Sequence, residues 1–336
     1  MKLEQSEKIL VQEFFISSVE KLKLDYSSGA IIDRLTGDAS TRRYYRVSEH
    51  SLSHVVCLDN PSEENDFVTL NKLFASNKIR VPGIYDYDVK KGYILEEDLG
   101  DMTLLKYLAS LGSREDEYKI YHACIEELVK INSLGLDKIK GLSVEKRSFD
   151  FEKLMAESRN TIEYFVLKYL KETRDEIIYN IESGLRRICK LLSDARPLVI
   201  CHRDYHSRNL MVKDGEVCII DYQDARLGLP QYDLVSLLED CYYSIDNENK
   251  KKLIAKYYDE TKTGQTFDEF CYLYDLMAVQ RVFKAIGSFA MITELRKDYR
   301  YLKYIGFAME KLRFLLFKHE EFSLLRKSIF ESYHES

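Results

Sequence analysis

The stretch RPLVICHRDYHSRNLMVKDGEVCIID, residues 196 to 221, constrains the fold most, because it interrupts a long helical region with short strands. RPLVICH carries a short apolar run, and NLMVKDGEVCIID sets such runs on both sides of Asp214-Gly215. That dipeptide between apolar runs is a strong signal for a two-residue hairpin turn. Between them lies HRDYHSRNLM, with two histidines, two arginines, an aspartate and an asparagine, and only Leu210 and Met211 to bury. The decapeptide is therefore expected to be a loop between short strands in the middle of a helical lobe.

The flanks have different periodicities. Residues 5 to 23 repeat apolar side chains at helical spacing (Ile9, Leu10, Phe14, Phe15, Val19, Leu22). IIDRLTGDASTRRYYRVSE, LSHVVCLDN and GYILEED are short and rich in Val, Ile, Leu and Tyr, as strands of a small antiparallel sheet are. PSEENDFVTLNKLFASNKI between them reads as one helix, with Ser62 as cap and Phe67, Leu70 and Phe74 on one face. Amphipathic segments then follow at 102–110, 115–133, 150–171, 175–193 and repeatedly from 230 onward. These patterns predict an α+β protein: a sheet-and-helix lobe over 1–95, a hinge over 96–100 and a mostly helical lobe over 101–336.

Composition narrows the function classes. A chain of 336 residues is long for a single core, so two lobes are expected. With 45% hydrophobic and 32% charged residues it reads as an ordinary globular protein. A net charge of -6 gives no basic footprint, so no nucleic-acid partner is expected, and any anionic ligand must meet a local set of donors. Seven cysteines stand without zinc-knuckle or redox-pair spacing, which suggests reduced, packed thiols. MKLEQSEKILVQEFF mixes acids with lysines and does not read as a signal peptide, and no apolar run approaches the ~18 residues of a membrane span. A cytoplasmic protein without membrane association is expected.

Asp204, Asn209 five residues later, and Asp221 at the end of the hairpin carry the chemical signal. Phosphoryl transfer needs a carboxylate beside the acceptor hydroxyl and oxygen ligands beside magnesium. His202-Arg203-Asp204, Asn209 and Asp221 match the kinase pattern H-R-D-x-x-x-x-N followed by a strand-end aspartate. The plainer reading makes Asp204 and Asn209 turn caps, but one turn does not need all of these groups. In EEDLGDMTL, the backbone around Glu97, Asp98 and Leu99 suits an adenine, although any interdomain linker looks similar. In TGDASTRR, Gly37, Ser40, Thr41 and Arg43 suit phosphate covering, and an ordinary hairpin turn reads the same way.

GDASTRRYYR, YILEEDLGD, CHRDYHSRNLM, IIDYQDARLGLPQYDLVSLLED and QRVFKAIGSFA together resemble the aminoglycoside phosphotransferase-like kinases. More narrowly they resemble bacterial cell-wall-recycling kinases that phosphorylate N-acetylmuramate and N-acetylglucosamine at the anomeric hydroxyl. The resemblance runs from about residue 30 to 310 and implies a protein-kinase-like bilobal fold that uses ATP and Mg²⁺ on a small amino sugar. It implies Asp204 as the base and Asn209 with Asp221 as metal ligands. Asp233 would brace the loop, His202 and His206 would support it, and Gln223, Asp224, Arg281 and Lys284 would line the sugar site. One departure matters: HVVCLDNP lacks the strand lysine that usually meets the nucleotide phosphates, and Arg42, Arg43 or Arg46 is expected to supply the charge. The alternatives are a kinase for choline, another amino alcohol or an aminoglycoside, and a nucleotide-binding sensor without transfer. Arg226, Arg281 and Lys284 are available for the carboxylate of muramic acid, whereas a polycationic aminoglycoside would want an acidic cleft.

Overall fold

The computed structural model describes residues 2–26, 29–35 and 42–335. The chain divides into two compact units, Met1–Met102 with Met211–Gln223, and Thr103–Leu210 with Asp224–Ser336. The elements in chain order begin with helix α1 (Lys2–Leu22), strands β1 (Ile31–Arg34), β2 (Arg43–Glu49) and β3 (Leu52–Leu58), helix α2 (Asp66–Ser76), and strands β4 (Ile84–Asp88) and β5 (Tyr93–Glu97). Helices α3 (Leu104–Ala109), α4 (Arg114–Asn132), α5 (Phe151–Thr161) and α6 (Asp175–Asp194) follow. Strand β6 (Val199–Cys201), the hairpin β7 (Leu210–Lys213) and β8 (Glu216–Ile219), and β9 (Arg226–Gly228) interrupt the helices. The chain ends with α7 (Gln231–Leu238), α8 (Asn247–Thr261), α9 (Phe267–Arg296), α10 (Lys303–Phe317) and α11 (Ser323–Glu335).

In the first unit an antiparallel sheet runs β1-β2-β3-β5-β4. Tyr45 and Val47 alternate inward along β2 and join Val56, Leu58 and Leu95 in a core closed by Val11 and Phe15 of α1. Helix α2 is capped by Asn65, whose side chain accepts from the N–H groups of Phe67 and Val68. The expected cap, Ser62, instead gives its N–H to the Val89 carbonyl. Strand β4, IYDYD, escapes the sequence pattern because it carries two aspartates, which strands usually avoid. Asp86 is accommodated there by Ser18 and Lys21 of α1.

The hairpin turns on Asp214 (φ 52) and Gly215 (φ 83), both left-handed, as a type I′ turn requires. Residues 211–223 belong to the first unit although helices flank them in sequence. The Val212 N–H meets the Met102 carbonyl, the Ile219 N–H meets the Arg80 carbonyl, and Asn71 donates to the Tyr222 hydroxyl at 2.8 Å.

In the second unit β6 pairs antiparallel with β9, and the buried Asn132 of α4 donates to the Ile200 carbonyl at 2.7 Å. Helix α9 starts with a reciprocal Thr266–Glu269 cap. It is long and apolar enough to cross a membrane, yet 72% of its most apolar window is buried inside the protein, as in a central core helix. Six cysteines are buried and Cys271 is partly buried, all as free thiols. At Gly287, α9 approaches α5 so closely that an added Cβ would lie 2.6 Å from the Thr161 Cα and nearer still to its hydroxyl. Gly287→Ala is therefore expected to lower stability by about 1–3 kcal/mol through overpacking, measured as a fall in the urea midpoint at unchanged slope.

Candidate active site

The loop from His202 to Asn209 leaves β6 with Arg203 in a left-handed conformation, φ 88, which a non-glycine residue adopts only when its surroundings hold it there. Asp233, fully buried in the first turn of α7, does so: its two oxygens accept the N–H groups of His202 at 2.6 Å and Arg203 at 3.0 Å. Burial pushes the Asp233 carboxyl up, and His202 and these hydrogen bonds oppose that rise. Inside the loop, Asp204 donates its N–H to Nδ1 of His202, and the Asn209 side-chain nitrogen donates to the Asp204 carbonyl at 3.0 Å. Tyr205 is buried and anchors the loop to the Cys124 carbonyl of α4. A second carboxylate, Asp240, accepts from the Ser207 and Tyr242 N–H groups.

Asp204 meets three cations. Lys284 Nζ lies 3.1 Å from Oδ1, Arg281 3.8 Å from the same oxygen, and Arg203 Nε 3.5 Å from Oδ2. Burial alone would raise the Asp204 carboxyl, but Lys284, Arg281 and Arg203 more than offset it and hold the group well below the usual range. Asp204 is thus an ionised hydrogen-bond acceptor with low proton affinity. Lys284 is pushed down by burial and drawn back by Asp204. Arg281 lies over the Tyr232 ring, 4.4 Å from its centroid, and donates to its hydroxyl. Arg203 also pairs with Asp224 at 2.5 Å. A cavity of about 120 Å³ beside Asp204 is lined by His206, Asp240, Tyr242, Arg281 and Lys284, among others. His206 accepts from the Arg208 N–H through Nδ1, and burial lowers its imidazole against the pull of Asp240 and Asp204.

In the first unit Asp221 ends the hairpin segment at φ 67, exposed, with Gln223 Nε2 donating to it at 2.8 Å. Glu97 holds Arg80 through two bonds of 2.7 Å and Lys213 at 2.9 Å, so its carboxyl falls to about 2. Its backbone N–H goes to the Gly83 carbonyl. Leu99 packs with Met211, Cys218 and Ile220. Arg43 pairs with Glu7 of α1. Gly37, Ser40 and Thr41 lie outside the described residues. Glu96 is buried on β5 opposite Val55; burial pushes its carboxyl up to about 8, against the pull of Arg42.

The phosphotransferase enzyme family model, built for proteins of that class, matches residues 31–267, more than half of the chain. The chain belongs to the phosphotransferase enzyme family. It is 30% identical over 265 residues to the N-acetylmuramate/N-acetylglucosamine kinase of Neisseria meningitidis serogroup B, covering 76% of each chain. It is 30% identical over 277 residues to the kinase of the same name from Pseudomonas putida, covering 80% of this chain and 78% of that one. The solved structure of a choline kinase from Streptococcus pneumoniae shares the protein-kinase-like fold with a TM-score of 0.59 at 13% identity, covering 90% of this chain and 98% of that one.

In this phosphotransferase the second unit gathers Asp204, Arg281, Lys284, Asp224, Asp233, His202 and His206 around one loop, with Asp224 on Arg203. Gln223 sits in the first unit against Asp221. Asp240, just past the end of α7, belongs to none of the motifs that the sequence pattern singles out. The donor chemistry suits a hard cation. Because the Asn209 nitrogen is committed to the Asp204 carbonyl, Asn209 can meet a metal only through Oδ1, and Asp221 offers carboxylate oxygen.

Asp233→Asn would place an amide nitrogen against one of the two N–H groups it now accepts. Calorimetry should show a destabilisation of about 1–3 kcal/mol, accompanied by reduced turnover as the loop relaxes. Glu96 gives a pH signature. Its folded-state value is raised, so its contribution is favourable at low pH and is lost as pH rises from the ordinary glutamate range through about 8. Glu96→Gln should remove that loss, so the difference in melting temperature between the variant and the parent should grow in the variant's favour from pH 5 to pH 9.

Proposed function

We propose that the chain transfers the γ-phosphoryl group of ATP to the anomeric hydroxyl of N-acetylmuramate or N-acetylglucosamine, as a cytoplasmic step of peptidoglycan recycling. The observation that carries this reading is an ionised Asp204 held among Lys284, Arg281 and Arg203, in a chain 30% identical to kinases named for those sugars. An anomeric hydroxyl is more acidic than other sugar hydroxyls, so a carboxylate of low proton affinity suffices to orient it and accept its proton. The hydroxyl oxygen bonds to the γ-phosphorus as the bond to the β–γ bridging oxygen breaks, and ADP leaves. Lys284, released from Asp204 by the incoming hydroxyl, faces the charge on the transferring group, while Arg281 stays fixed on Tyr232. Mg²⁺, when bound, neutralises charge on the ATP phosphates. Asn209 Oδ1 and the Asp221 carboxylate are the groups that would hold it. The apolar cluster of Leu99, Met211 and Cys218 suits the face of an adenine.

A choline substrate is disfavoured by one observation. Tyr242 and Tyr301, aromatic rings near the loop, already take a cation of the chain's own, with the Arg208 guanidinium 5.0 and 5.5 Å from their centroids.

Asp204→Asn should lower turnover by about 10²–10⁴ in an assay of ADP release with either amino sugar. ³¹P and ¹H NMR of the product should place the new phosphate on C1. Phosphorylation at another position, or of choline alone, would overturn the substrate assignment.

A further inference from the structure

His206 divides its two ring nitrogens between the loop and the cavity beside Asp204. Nδ1 accepts the Arg208 N–H at 3.3 Å, so the proton of the neutral imidazole sits on Nε2. Burial lowers the imidazole against the pull of Asp240 and Asp204, and the neighbouring Arg281 and Lys284 lower it further, so the ring is neutral at pH 7 and above. The Nε2 N–H meets no acceptor among the described residues. Tyr242 packs against the ring edge to face, with centroids 5.8 Å apart and planes at 62°.

The cavity that His206 lines measures about 120 Å³, far more than one water needs. Val235, Val282, Ala285 and Phe289 make part of its wall apolar. Its charged donors, Arg281 and Lys284, already lie beside Asp204. A neutral donor beside an apolar wall complements a group that joins a carbonyl oxygen to a methyl, and an acetamide is such a group. Both sugars of the proposed reaction carry an acetamide on C2, next to the anomeric carbon. A sugar that sets its anomeric hydroxyl against Asp204 therefore brings that group into the same cavity, where His206 stands two residues further along the loop.

We propose that His206 determines specificity: its Nε2 N–H donates to the acetamide carbonyl of the acceptor sugar, while the apolar wall takes the acetamide methyl. The proposal rests on the reading of the chain as an amino-sugar kinase and names the residue that selects the amino sugar there. A hydroxyl on C2 ends two bonds nearer the sugar ring than that carbonyl and offers no methyl. Glucose therefore leaves the Nε2 N–H without its partner, and a site built to donate a hydrogen bond discriminates against a ligand that cannot receive it.

Initial rates of the full chain with N-acetylglucosamine and with glucose, in ATP and Mg²⁺, test the assignment through the ratio of the two kcat/KM values. His206→Asn keeps an acceptor for the Arg208 N–H where Nδ1 stands but loses the Nε2 donor, so the preference for N-acetylglucosamine should fall about 5- to 100-fold. His206→Gln keeps an N–H at the reach of Nε2 but loses the acceptor for Arg208, and it should recover most of the preference. His206→Phe keeps the packing on Tyr242 without a donor. It carries the test should the asparagine variant fail to fold, with the same loss expected. An unchanged preference in His206→Asn or His206→Phe would overturn the proposal, as would a parent that uses glucose as well as N-acetylglucosamine. Equal loss in His206→Asn and His206→Gln would reduce His206 to a support of the loop and overturn it too. Where glucose turnover lies below detection, kcat/KM for N-acetylglucosamine is read in the same way. The two readings fail distinguishably. A parent that phosphorylates no amino sugar defeats the substrate reading and this assignment with it, whereas N-acetylglucosamine phosphorylated at the parental kcat/KM by His206→Asn defeats this assignment alone.

Discussion

The carboxylate of Asp233 holds two consecutive backbone N–H groups, and the candidate site depends on that grip. Arg203 can keep its left-handed backbone because Asp233 receives its N–H and that of His202, out of contact with water. Arg203 then points its guanidinium at Asp204 and Asp224. Asp240 fastens the other end of the loop through Ser207, and Tyr205 anchors its middle. The side chains proposed for chemistry therefore project from a backbone whose donors are committed to buried acceptors, the pre-organisation that positioning by electrostatics requires.

Charge balance is the second constraint. Helix α9 is buried around most of its surface, yet it delivers Gln280 and Arg281 to the interior and a partly buried Lys284 beside them. Such burial is tolerable only when the charges are paired. Asp204 and Glu157 supply the negative partners: Glu157 accepts from Gln280 and pairs with Lys153, and Lys284 and Arg281 help hold it ionised despite its burial. The resulting cluster explains why a polar decapeptide can sit against an apolar helix.

Much of this was legible in the sequence because local rules and tertiary structure agree. The Asp214-Gly215 turn forms where its dipeptide demands positive φ, and the alternation in RYYRV puts Tyr45 and Val47 in the core. The spacing of Asp204 and Asn209 was visible because one loop carries both. Other features had no local signature. Asn65 displaces Ser62 as the α2 cap because Ser62 is drawn to Val89, a contact across 27 residues of chain. Strand β4 carries two aspartates, of which Asp86 is met by Ser18 and Lys21 of α1. Strand β9 is only three residues long and owes its pairing to β6.

The sheet-then-helix order, the hairpin within the helical region and the spacing of Asp204, Asn209 and Asp221 can be read from the chain alone, because each rests on periodicity, turn chemistry or short separation in sequence. Tertiary structure alone decided that residues 211–223 pack with the first unit, since the bonds that hold them reach Met102, Arg80 and Asn71. It also decided which cations surround Asp204, because Lys284 and Arg281 arrive from a helix some 80 residues away.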